Sequence, residues 1–298
     1  MSALSRPGIP SLDRMLSDPG SSPTVLRLTI GSRLRKLRDA AGITPLQASE
    51  RIRCHYSKIS RMECGKVPLK VCDVQDLLEL YGADPREADA SADLVELSNR
   101  SGWWERYGSV VPDWFDKLIG LQEGASVIWT YEVLLVPGLL QTPEYAFAVA
   151  REGFPLADRL EIEARVDLRV ERQKILSRSE GPRLWALFDS GVLNRHIGSP
   201  EVMYRQISHM INLSEHPRIT LQIVPEGFVI TASTPVTLIR FPVDLPDIVY
   251  LENSFDARYL DREKETAHFR ALLDPLATTA YSPETTRSKL LDALELYR

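Results

Sequence analysis

Between Thr44 and Gly65 the chain reads TPLQASERIRCHYSKISRMECG, a stretch that starts a helix, breaks it and starts another. Thr44 is a good N-cap, Pro45 takes the first helical position where a missing N–H costs nothing, and Gln47 stands where a capping box needs it. Ala48 and Ile52 are the inward positions of this first piece. Arg53-Cys54-His55 then interrupts the period before Ile59 and Met62 resume it. With His55 as the new N-cap and Gly65 as the stop, the spacing predicts a second helix from Tyr56 to Glu63. Two short helices joined so tightly can bury their apolar faces only against further helices.

Those further helices are legible on both sides. Leu26, Ile30, Leu34 and Leu37 recur at helical spacing from about Val25, and Gly42 sits where that helix ends. Val71, Val74, Leu77 and Leu78 mark a fourth helix stopped by Gly82, and a fifth runs from Pro85 towards Leu97. The reading is therefore an all-α bundle of five helices over residues 25–100. Residues 1–24, rich in Ser, Pro and Gly without periodicity, read as a flexible tail.

Beyond residue 100 the texture changes. SGWWERYGSVVPDWFDKLIGLQEGA is expected to pack between the bundle and the C-terminal domain. Residues 126–132, 183–189, 218–224, 235–241 and 247–252 are β-branched or aromatic runs bounded by Pro, Gly and Asp, and predict strands. Helical stretches fall at about 142–152, 157–177, 199–214, 262–276 and 283–297. Residues 101–298 thus read as an α+β domain, to which a regulatory or partner-binding role falls if the basic N-terminal module binds DNA.

Charge separates the two halves. From Val25 to Lys70 eleven Lys or Arg face three carboxylates, a surplus of eight positive charges, whereas the whole chain carries −5 and the remainder therefore −13. A basic module on an acidic body points one end at phosphate. No run approaches the eighteen or so apolar residues of a membrane helix, and the N-terminus lacks a continuous apolar core, which predicts a cytoplasmic protein without membrane contact. Cys54, Cys64 and Cys72 form no CxxC pair, so neither a disulfide framework nor a zinc cluster is expected.

Two short helices and a tight turn, the second with a polar and basic outer face, make a helix-turn-helix, whose second helix enters the major groove of double-stranded DNA. Tyr56, Ser57, Lys58 and Arg61 are the candidate base-contacting residues. Arg61 and Lys58 can donate to guanine O6 and N7, Ser57 can donate or accept, and Tyr56 can meet a thymine methyl or a phosphate. Thr44, Gln47, His55, Ser60 and Lys66 are the candidate phosphate contacts, which fix register without reading sequence. Since one short helix covers few bases, a homodimer is expected. A merely solvated basic helix is the competing reading of the charges.

From Ile43 to Gly65 the segment resembles the XRE family of bacterial regulators, of the phage-repressor type, through Ser57-Lys58-Ile59-Ser60-Arg61-Met62-Glu63-Cys64-Gly65 set against the pattern S-x-I-S-x-x-E-x-G. Three positions depart from it: Pro45 for Gln, Ser49 for Ala, and Arg53 for the turn glycine. An Arg in a left-handed turn is expected to cost on the order of 1 kcal/mol against Gly. SGWWERY, TYEVLLVPGLLQTPEYA, RVDLRVERQKIL, RLWALFDSGVLNRHIGSPEVMYRQISHM and DIVYLENSFDARYLDREKE, in that order, resemble the signature blocks of an actinobacterial, WhiJ-type group that joins this motif to an antitoxin-like C-terminal domain. The resemblance implies a transcriptional regulator working on the nucleoid, often encoded beside a small partner protein. It also implies a second function: an antitoxin-like module that holds the partner, with DNA binding only autoregulatory.

Chemistry is weakly represented. His55, His196, His209, His216 and His268 fall in no metal-binding pattern, and neither a metal nor a cofactor is expected. Asp189-Ser190-Gly191 with His196 lacks the GxSxG elbow of a hydrolase, and no P-loop or GxGxxG is present, so no enzyme is expected. PGLLQTPEYA reads first as a strand-to-helix corner that buries Leu139 and Leu140, and second as the lining of a pocket.

Overall fold

A computed structural model describes residues 22–226, 234–253 and 256–298. It contains an N-terminal helix-turn-helix bundle and, after it, an α+β region with a six-stranded mixed sheet. Two compact units emerge: residues 22–103 together with Phe241–Leu245, and the described parts of 104–240 and 246–298.

The first unit holds α1 (Pro23–Ala40), α2 (Pro45–Arg51), α3 (Tyr56–Glu63), α4 (Val71–Leu80) and α5 (Pro85–Ser98). The expected tail lies outside the described residues up to residue 21, and its last two residues are already helical because Pro23 takes the N1 position of α1. Leu26, Ile30 and Leu34 of α1 meet Ile59 and Met62 of α3, Val74, Leu77 and Leu78 of α4, and Leu94 and Val95 of α5 in one core. α1 can lie close on α3 because position 31 is glycine: a β-carbon there would sit 2.5 Å from the Met62 carbonyl oxygen.

The second unit begins with a 3-10 turn (Trp103–Tyr107, whose first residue closes the first unit) and α6 (Asp113–Glu123). Strand β1 (Val127–Glu132) leads to α7 (Pro143–Gly153), α8 (Arg159–Gln173) and β2 (Arg183–Asp189). Then come α9 (Gly191–Asn194), α10 (Pro200–Leu213), β3 (Ile219–Val224), β4 (Val236–Arg240), β5 (Ile248–Glu252), β6 (Ala257–Leu260), α11 (Glu263–Thr279) and α12 (Pro283–Glu295). The sheet order is β3-β2-β1-β4-β5-β6. β1, β2 and β3 run parallel, as helical crossovers require, and β4, β5 and β6 are antiparallel neighbours. Tyr131, Leu187, Leu238 and Val249 bury one face of the sheet with Leu273 and Leu276 of α11.

The five expected strands are present to within a residue at each end, and β6 was not foreseen. It is a four-residue edge strand that, among the described residues, pairs only with β5. PGLLQTPEYA is the corner expected of it: Thr142 caps α7 by accepting from the Tyr145 N–H, with Leu139 and Leu140 buried beside it.

Candidate nucleic-acid interface

The entry to α2 is a reciprocal capping box. Thr44 Oγ1 accepts from the Gln47 N–H at 3.3 Å, and Gln47 Oε1 accepts from the Thr44 N–H at 2.9 Å. Both proposed phosphate-contacting side chains therefore hold the helix start, and the exposed Gln47 amide keeps its N–H2 for an outside acceptor.

The turn is where this sequence pays a conformational cost. Arg53 has φ 49°, and it is the only non-glycine residue with positive φ among the described residues. Its N–H donates to the Glu50 carbonyl at 3.3 Å while the Cys54 N–H donates to Ser49 at 3.0 Å. The same pair of hydrogen bonds closes α3, from Gly65 to Met62 at 3.0 Å and from Lys66 to Arg61 at 2.8 Å, with glycine in the left-handed place. Arg53 thus performs at the end of α2 the backbone role that Gly65 performs at the end of α3, and its exposed guanidinium stands at the turn.

His55 caps α3 as expected. Its Nδ1 accepts from the Ser57 N–H at 3.3 Å and lies 2.8 Å from Ser57 Oγ. A ring nitrogen that accepts from a backbone amide carries no proton, so Nε2 holds it and is a donor. Ile59 and Met62, 0% and 1% exposed, anchor the helix from below. Each such side chain is worth about 1.5–3 kcal/mol of burial.

At about 100° per residue, Ser57, Ser60, Arg61 and Cys64 fall on the arc opposite Ile59 and Met62. Ser60, Arg61 and Cys64 are exposed on it, Ser57 is half-buried against His55, and Tyr56, 54% exposed, flanks one side. Lys58 flanks the other side, and there the structure differs from the simple expectation. Its Nζ lies 2.5 Å from Asp73 Oδ2 at the start of α4, so the side chain is held half-buried within the protein. Ser60 shares the outward arc with Ser57 and Arg61. Cys64 belongs to the same arc and was missed, although the helical period alone would have found it; Arg53 of the turn and the 60% exposed Leu46 of α2 are also exposed.

Pairing decides where the positive surplus acts. Arg33 is bound to Glu87, Arg35 to Asp39, Lys36 to Asp244, Arg38 to Glu63 and Asp39, Arg51 to Asp76 and Glu79, and Lys58 to Asp73. Arg27 donates to the Ser98 carbonyl. Arg53, Arg61, Lys66 and Lys70 have no carboxylate partner among the described residues, and all four lie on α3 or within seven residues of its ends. The uncompensated positive charge of residues 25–70 is therefore gathered around α3, while Arg86 and Arg100 of the same unit also have no carboxylate partner among the described residues.

Ser190 and His196 do not form a nucleophile and base. Ser190 Oγ is buried without a hydrogen-bond partner among the described residues, and the His196 ring packs edge-on against Tyr297 at 5.5 Å. Among the described residues no group of three His, Cys, Asp or Glu side chains is placed to hold a metal ion. No described helix is long and apolar enough to cross a membrane.

A family model described as a domain of unknown function, DUF5753, matches residues 115–292, well over half of the chain. The chain belongs to that family. A second model, a helix-turn-helix domain, matches residues 29–90 and so spans α2, α3 and the turn at Arg53. This DUF5753 protein is accordingly a DNA-binding regulator of the helix-turn-helix type. No curated protein and no solved structure matches it.

Proposed function

We propose that the protein is a sequence-specific transcriptional regulator that binds an inverted repeat as a homodimer, with α3 of each copy in the major groove. Half-sites would lie about one helical turn apart. The observation that carries this reading is the set of cations around α3, Arg53, Arg61, Lys66 and Lys70, that no carboxylate of the protein neutralises among the described residues. A helix so charged attracts a polyanion, and the short polar side chains of Ser57 and Ser60 beside Arg61 let the helix approach base edges closely.

In this reading Arg61 donates to guanine, Ser57, Ser60 and Tyr56 complete the base contacts, and Gln47, His55 Nε2, Arg53 and Lys66 hold phosphates. Thr44 acts through the cap of α2. Lys58 reaches a base only by leaving Asp73. The second unit supplies dimer contacts and modulates the regulator, works with no resident metal or cofactor, and performs no catalysis.

The test is a genomic pull-down of the tagged protein beside an Arg61→Ala control, reading both DNA and protein recovered. Discrete sites sharing an inverted repeat, lost in the control, are expected. A stoichiometric small protein with no enriched DNA in either sample overturns the reading in favour of a partner-holding module.

A further inference from the structure

Sheet register brings two carboxylates together far from the helix-turn-helix. Thr130 pairs with Thr237, which pairs with Tyr250, so these three side chains share one face. Glu132 and Glu252 each stand two residues further on, on that same face and at the same edge, because β1 and β5 run in one direction. The Tyr250 hydroxyl donates to Glu252 Oε2 at 2.6 Å.

Helix α8 carries two arginines one turn apart, and both feel the charges of Glu132 and Glu252. Arg169 donates to Gln141 Oε1. Arg172 is the anomaly: its side chain is buried, its Nε has no hydrogen-bond partner, and among the described residues that side chain makes no hydrogen bond or ion pair. Its guanidinium lies over the Phe115 ring, 5.0 Å from the centroid. On another side the backbone passes so near that a β-carbon on Gly138 would sit 2.7 Å from Nη2. Phe115 and Gly138 flank the fork, and no hydrogen-bond acceptor among the described residues meets it.

Buried guanidinium groups in native proteins are almost always hydrogen-bonded, because desolvation of an unpartnered charge is costly. The local charges favour an anion. Burial, and then the neighbouring Glu252, pushes the Glu132 carboxyl up to about 8, so at neutral pH it is largely a neutral donor. Burial, and then Arg169, lowers Arg172 only to about 10, so it stays cationic. Two guanidinium groups then act with the single carboxylate of Glu252. Three separate stretches of sequence, 132–141, 165–176 and 247–252, converge here.

We propose that Arg172 and Glu132 form the floor of a binding site for a small organic carboxylate, whose two oxygens accept from the Arg172 fork and from the Glu132 hydroxyl. Arg169 sets the positive field around it. Phosphate could satisfy the same fork, so the two anions are compared directly. The site goes beyond the DNA-binding reading and stands without it, since occupancy is measured on the protein alone.

The experiment is thermal unfolding of the full chain at pH 7 with acetate, succinate or inorganic phosphate, against chloride at matched ionic strength. A carboxylate at ten times its dissociation constant should raise the midpoint by about 3 °C or more and saturate. Arg172→Met should lose that response while its anion-free midpoint equals or exceeds that of the unaltered protein, an outcome that a purely structural arginine would not produce. Glu132→Gln keeps a donor without the titration, and should retain the response above pH 8, where the unaltered protein loses it. A response to no carboxylate, to phosphate alone, or of equal size in Arg172→Met overturns the assignment, as does an anion-free Arg172→Met that unfolds well below the unaltered protein.

Discussion

Arg38 of α1 and Glu63 of α3 form a two-point ion pair, Nε to Oε1 at 2.6 Å and Nη2 to Oε2 at 3.0 Å, with side chains 9% and 6% exposed. Arg38 Nη1 also donates to the Ile43 carbonyl at 2.9 Å, so one guanidinium ties α1, the entry to α2 and the end of α3. The bond to Glu63 raises the Arg38 pKa above its ordinary value. This gives the Glu of S-x-I-S-x-x-E-x-G a structural role beneath the outward arc of α3. Removing one partner strands a buried charge, so Glu63→Ala should lose about 3–5 kcal/mol in urea unfolding. Arg38→Met combined with Glu63→Leu should recover most of it, which distinguishes a stranded charge from lost packing.

Arg53 divides stability from binding. Its φ of 49° disfavours any side chain, so Arg53→Gly should stabilise the protein by about 1 kcal/mol. The same change removes a cation at the turn, and DNA affinity should fall while the salt dependence of binding shallows by about one phosphate contact. Unfolding and binding measured on the one variant give opposite signs. A rise in both would show that Arg53 does not touch DNA.

Much of the fold was readable, and for local reasons. The limits of α3 come from His55 and Gly65, which bracket it within eleven residues, and the capping box from Thr44 and Gln47 on one turn. Strands such as Arg183–Asp189 are dense in aromatic and aliphatic residues and need no partner to be recognised. β6 could not be seen because Ala257–Leu260 becomes a strand only by pairing with β5. Lys58 looked free because Asp73 is brought to it by the packing of α4. Arg172 looked like one more charge on a polar helix, since RVDLRVERQKIL does not say which arginine Phe115 and Gly138 will cover.

The three cations of α3 and its exit should behave differently on DNA. Arg61→Ala should cost about 1–3 kcal/mol on the specific site and much less on random sequence, whereas Lys66→Ala should weaken both alike and reduce the salt slope by about one. Lys58→Ala should cost less than Arg61→Ala, because the lysine must first give up Asp73. Asp73→Asn should accordingly raise affinity. Fluorescence anisotropy over a salt series separates these outcomes, and equal losses for Arg61→Ala on both DNAs would remove it from base reading.

Glu132 makes the second unit sensitive to pH in a definite direction. Its folded-state pKa of about 8 lies above the ordinary 4.5, with burial the first cause and Glu252 the second, against the opposing pull of Arg172 and Arg169. The folded protein therefore holds a proton that the unfolded chain has released across that window. Linkage then requires stability from this group to be fully present below about pH 4.5 and to fall as pH rises to about 8. Glu132→Gln abolishes this slope and should stabilise the protein at pH 8.5 by on the order of 2–4 kcal/mol, with little effect at pH 4.5. Urea unfolding at several pH values checks it. Parallel stability curves for the two proteins would mean that water or Arg172 keeps the carboxylate ionised in the folded state.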